Sequence, residues 1–89
     1  MTRTEQVVAL VERVKPLFAG KAPEVQAGAL ADLLAMWLAG HLILDDPVAT
    51  EKMRAELLDY HLGAVRDLIP VNEREILARI TGRSTDRTH

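Results

Sequence analysis

The sequence contains no cysteine, a single serine, and one residue each of Phe, Trp and Tyr. Without cysteine there is no disulfide framework, no thiol nucleophile and no thiolate ligand for a metal. The one serine, Ser84, lies in a polar segment, where we expect no base or oxyanion hole to be arranged around it. Because nucleophilic catalysis has so little to use, the residue inventory favours a protein that is not an enzyme.

Charge of one sign and long uncharged hydrophobic runs are also missing. The chain has 13 acidic and 11 basic residues, so charge selects no obvious partner. The longest apolar stretch, residues 27–44, contains Asp32, an acid that would be costly in lipid. Glu12, Arg13 and Lys15 interrupt the N-terminal segment, where a signal peptide would need an apolar core. We therefore expect a cytoplasmic protein with no membrane partner.

What the sequence does have is a hydrophobic fraction of 48% in 89 residues, enough for one domain but not for two cores. Ala and Leu dominate it, and the β-branched residues never alternate, which predicts an all-α fold. We expect a single helical domain over residues 1–82 and a disordered polar tail over 83–89, which lacks apolar residues. Eight Arg against three Lys is typical of a GC-rich bacterial genome.

The positions of proline, glycine and helix-capping residues predict a small bundle of three main helices plus a short C-terminal helix. Thr2 and Glu5 match a capping box at the start of a first helix that runs to about Ala19. Pro16 predicts a kink one turn before it or a last turn that starts afresh, and Gly20 is the natural stop.

The second predicted helix opens at Pro23 and runs to about Leu42. It is apolar nearly all round, so it must be covered nearly all round, and we expect it to be the central, buried helix. Small and large side chains form neighbouring ridges on it: Ala27, Ala31, Ala35 and Ala39, and Leu30, Leu34 and Leu38.

Asp46 is the expected N-cap of the third predicted helix, and Thr50 is the alternative if the first turn frays. This helix is expected to end near Ile69 because Pro70 follows. A short fourth helix then runs from Asn72 to Gly82. The periodicity of the third helix leaves its charged residues to solvent: Glu51, Lys52, Arg54, Glu56, Asp59, Arg66 and Asp67.

His41 and His61 are the candidate metal ligands, because the second and third helices are neighbours and an acid could complete the site. Structural sites normally need four ligands, so we expect no metal and no cofactor. A small-ligand or metal-binding protein centred on His41 and His61 remains the alternative. Asp32 is a candidate buried base, and pairing with Arg13 or Arg66 is its other interpretation.

Nucleic acid is not an expected partner. The third helix, the Pro-Val-Asn turn and the fourth helix can be drawn as a helix-turn-helix. Residues 45–69, however, carry three bases and six acids. The would-be recognition helix begins with Glu73 and Glu75, which places acids near phosphates, and a basic face is missing.

Protein–protein interaction is the function that survives these exclusions. The large apolar residues outnumber the positions that four short helices can hide, which predicts a homodimer through the second helix, assisted by the first or third. The predicted interaction surface consists of Leu30, Leu34, Trp37 and Leu38.

Two alternatives to the homodimer remain. The partner is a helix from another protein, or the chain is a monomer whose fourth helix folds back over the open side. By analogy, small helical bacterial proteins of this kind are often regulators or adaptors.

Overall fold

A computed structural model describes the backbone of residues 1–88 and the side chains of residues 1–82. This part of the chain contains three α-helices and no strand: α1 (Arg3–Phe18), α2 (Pro23–Ala39) and α3 (Pro47–Thr88). The predicted all-α class is confirmed. The chain divides into two units, residues 1–37 and 38–89.

The polar tail predicted at residues 83–89 stays a prediction. The side chains of residues 83–88 and the whole of His89 lie outside the described part of the chain. The single-domain interpretation of residues 1–82 also stays a prediction.

In the first unit, α1 begins with the predicted capping box. The Glu5 amide donates to Oγ1 of Thr2 at 3.0 Å, and the Thr2 amide donates to Oε1 of Glu5 at 3.3 Å. The helix continues through Pro16 and ends at Phe18. Gly20 then adopts a φ of 77°, the left-handed conformation that lets the chain turn.

A side-chain hydrogen bond links α1 to α2 within this unit. Nε2 of Gln26 donates to the carbonyl oxygen of Phe18 at 2.8 Å. This carbonyl belongs to the last turn of α1 and has no partner inside the helix. Val14 and Phe18 on α1, and Gln26 and Ala29 on α2, are half-buried, so the two helices meet along these positions.

The second unit is organised around the turn between α2 and α3. Thr50 is only 6% exposed and is the one buried side chain among residues 1–82. Its Oγ1 accepts from the Ile43 amide at 3.0 Å. The hydroxyl is also within donating distance of two carbonyl oxygens, that of Asp46 at 2.9 Å and that of Ile43 at 3.1 Å. The predicted N-cap of α3 is confirmed, since Oδ1 of Asp46 accepts from the Ala49 amide at 3.0 Å. Asp45 reverses the chain with a φ of 62°.

The predicted helix boundary at Pro70 is wrong, and no separate fourth helix follows it. α3 continues through Pro70 to Thr88. Proline removes one hydrogen bond, to the carbonyl of Arg66, without removing the helical preference of the residues on either side. Residues 64–82 are exposed, so water can reach that carbonyl.

The second helix is also not the buried centre that its composition predicts. α2 contains no buried residue, and it ends at Ala39 rather than near Leu42. Leu34 and Leu38 are half-buried. Among residues 1–82 no hydrophobic side chain is buried, so the large apolar residues of this chain remain available to a partner.

Replacing Thr50 by valine tests the importance of the turn. Valine keeps the shape of threonine but leaves the Ile43 amide without its acceptor in a part-buried position. We expect the free energy of unfolding to fall by about 1–3 kcal/mol, measured by urea denaturation followed by circular dichroism. Thr4→Val, at an exposed position of α1, is the matched control, and equal stability of the two variants would contradict the assigned role of Thr50.

Candidate interaction surfaces

Arg54 holds the C-terminal end of α2 in place. Its Nε donates to the carbonyl oxygens of Leu38 and His41 at 3.0 and 3.1 Å, and Nη2 donates to that of Ala39 at 2.9 Å. The last carbonyls of a helix lack partners inside it, and they form the negative end of its dipole. The Arg54 guanidinium is a planar cation with several donors, so it can bond to these carbonyls and also place a positive charge at the negative end of the dipole. These bonds give the carbonyl groups at the end of α2 a side-chain partner.

Arg54 is not one of the solvent-facing residues of α3, contrary to the prediction from periodicity. In the structure it is half-buried. The spacing contained a signal: Thr50, Arg54, Leu57 and His61 lie on one stripe of α3 at helical intervals, and all four are buried or half-buried. The helical spacing of Arg54 from Leu57 and His61 thus indicates that Arg54 lies on the half-buried side of α3.

His41 and His61, the two candidate metal ligands, are not part of a group of three or more possible ligands in the described residues. His41 lies beyond the end of α2, where its carbonyl oxygen accepts from Arg54, and His61 lies on α3. Both are half-buried. Within the described residues, no group of three or more His, Asp or Glu side chains is arranged to hold a metal ion.

Asp32 lies on the rim of a groove between α1 and α2 and is not a buried base. The groove has a volume of about 380 Å³, and Phe18, Leu33 and Met36 are among its apolar lining residues. Asp32 itself is exposed. The desolvation that would suit it to general base catalysis is therefore missing.

The four residues of the predicted interaction surface share one stripe of α2. Their spacing of four, three and one residues keeps them within about a third of the helix circumference. Leu30 and Trp37 are 58% and 44% exposed, whereas Leu34 and Leu38 are half-buried. The open part of the surface is thus carried by Leu30 and Trp37.

Leu30 also belongs to a second groove, which the sequence analysis did not identify. This groove has a volume of about 560 Å³ and lies between α1 and α2. Leu10, Val11 and Val14 line it on the α1 side. Hydrophobic side chains from two helices therefore extend the surface around Leu30 into a groove that an apolar partner residue can enter.

A further apolar surface lies on the C-terminal half of α3. Side chains of residues 64–82 are exposed at every position, and large hydrophobic residues recur among them on one side: Val65, Leu68, Ile69, Ile76, Leu77 and Ile80.

No protein-family model matches this chain, and neither a curated protein nor a solved structure is similar to it. In the part of the chain that the structure describes, every helix is too short or too polar to cross a membrane.

Arg54→Met tests whether the guanidinium holds the end of α2. Methionine keeps most of the aliphatic length but cannot donate to the three carbonyls. Hydrogen bonds from charged groups contribute about 1.5–3 kcal/mol, so the variant should lose about that much stability in urea denaturation. Arg74→Met, at an exposed position of α3, is the control and should change stability by less than about 0.5 kcal/mol.

Proposed function

We propose that this chain is a non-enzymatic protein–protein interaction module that acts as a homodimer, in the manner of a small bacterial regulator or adaptor in the cytoplasm. The observation that carries the proposal is the absence of any buried hydrophobic side chain among residues 1–82, in a chain that is 48% hydrophobic. Exposed apolar surface on this scale is typical of a chain that is completed by a partner.

The energetics favour the same conclusion. Ordering the backbone costs about 1–2 kcal/mol per residue, and burial of apolar surface is the main term that offsets it. Fully burying a Leu, Ile or Val side chain contributes about 1.5–3 kcal/mol. Leu30 keeps more than half of its surface in water, so most of its contribution is realised only when a partner covers it. Most helical stability in proteins comes from packing of an apolar face, which these exposed faces gain only from a partner.

A second copy of the chain is the partner we propose. Two-fold homodimers are the commonest assemblies, and in them each apolar patch meets its own copy. A net charge of -2 offers little long-range repulsion between two chains. In such a dimer the surface formed by Leu30, Leu34, Trp37 and Leu38 is covered, and α2 becomes the buried centre of a helical bundle.

Size-exclusion chromatography with light scattering tests the proposal on the full chain. We expect a mass of twice 9.9 kDa at micromolar concentrations. Leu30→Glu should raise the dissociation constant by at least about tenfold, because it introduces an acid into the dimer surface. Leu44→Glu makes the same change in the turn, where the side chain is 83% exposed, and should leave the mass unchanged.

Two results would contradict the homodimer. A mass of one chain at all concentrations, with helix content retained, would mean that the chain needs no second copy. Equal weakening by Leu30→Glu and Leu44→Glu would mean that the surface on α2 is not the contact. In the first case a helix from another protein becomes the favoured occupant of the grooves.

A further inference from the structure

The exposed half of α3 carries a stripe with the spacing of a two-helix coiled coil. We call it the α3 seam and define it as Leu62, Val65, Ile69, Asn72 and Ile76. Successive members are separated by three and four residues in alternation, which keeps them on the side that faces a partner helix. The four hydrophobic members are all exposed.

Packing against a partner helix stabilises a segment of this kind. Helix stability in proteins comes mostly from packing of an amphipathic face. Here Pro70 removes a backbone hydrogen bond inside the helix. Gly63 and Gly82 each lower the helix propensity by about 1 kcal/mol relative to alanine. A helix that tolerates these residues in water must gain stability from contacts made by its seam.

The charges beside the seam fit a second copy of the same helix in antiparallel orientation. Arg66 and Glu73 each follow a seam residue directly and are seven residues apart, so they lie on the same flank about two turns from each other. In an antiparallel pair related by a two-fold axis, the same flank of both helices meets. Arg66 then lies opposite Glu73 of the second copy, and the axis generates the pair twice.

A parallel pair offers no such match. In that orientation the flank with Arg66 and Glu73 meets the opposite flank of the second helix, which carries His61, Leu68 and Glu75. Each residue on this flank of one helix faces the residue five positions later on the other helix. His61 therefore faces Arg66, and Leu68 faces Glu73. Neither is a pair of opposite charges, so charge complementarity selects the antiparallel arrangement.

We propose that the α3 seam binds the same seam of a second copy in antiparallel orientation, with two pairs of Arg66 and Glu73 across the contact. In this register Val65 packs beside Ile76 of the second copy, and Asn72 packs beside Ile69. The inference rests on the proposed self-association and adds a contact surface and an orientation to it.

Charge reversal at the two positions tests this arrangement in the full chain. Arg66→Glu alone, and Glu73→Arg alone, each replace two opposite-charge pairs by two like-charge pairs. Each variant should raise the dissociation constant measured by sedimentation velocity about tenfold. The variant with both substitutions should return to within about twofold of the original value. Arg74→Glu makes the same change in charge on the far side of the helix and is the control.

Mixing the two single variants gives the sharpest result. One chain then carries Glu at 66 and 73 and the other carries Arg at both, so heterodimers regain both pairs. Native mass spectrometry should show heterodimers well above the statistical half of all dimers. This comparison holds even if the single variants lose helix content, because the mixture and the double variant restore the contact.

The outcomes separate this inference from the function on which it rests. A dimer that responds equally to all single charge reversals, with heterodimers at the statistical fraction, would overturn the antiparallel seam and leave the homodimer standing. A chain that stays monomeric at every concentration would overturn both.

Discussion

Burial of apolar surface is the constraint on which this structure depends. The helices follow directly from the sequence, but the described side chains contain no buried hydrophobic residue that would hold them together. Hydrophobic burial is the dominant favourable contribution to folding, so a stable ordered chain requires contacts that remove its apolar surface from water. The apolar surfaces on α2, in the grooves between α1 and α2, and on the C-terminal half of α3 are where a second chain can supply it.

Polar interactions provide the local order that this burial does not. Within the second unit, Thr50 and Arg54 bond to backbone groups from Leu38 to Asp46 and thereby fix the turn between α2 and α3. Within the first unit, Gln26 does the same for the last turn of α1. Each of these side chains bonds to backbone groups at a helix end or in the turn that follows it. These contacts fix the geometry of the helix ends, and the large apolar side chains on the helix faces are exposed.

Local signals predicted the beginnings of the helices well and their ends less well. The capping box of Thr2 and Glu5, the stop at Gly20 and the N-cap at Asp46 depend on neighbouring residues only, so the sequence contains the whole interaction. At the end of α2 the carbonyl oxygen of Ala39 accepts from Arg54, which is 15 residues away in the sequence, so no neighbouring residue indicates this contact. Pro70 alone predicts a boundary because proline removes a backbone hydrogen bond. The helical preference of the residues on both sides outweighs that loss, and α3 continues. The candidate surface on α2 was found from spacing, whereas the groove beside Leu30 needed the position of α1.

The concentration dependence of unfolding tests the central claim most directly. If the apolar faces are closed by a second copy, folding and association are coupled, and stability depends on protein concentration. Urea unfolding of the unmodified chain, followed by circular dichroism at concentrations from about 1 to 100 μM, should show a midpoint that rises steadily with concentration. A midpoint that stays constant over this range, with the mass of a single chain, would contradict the account.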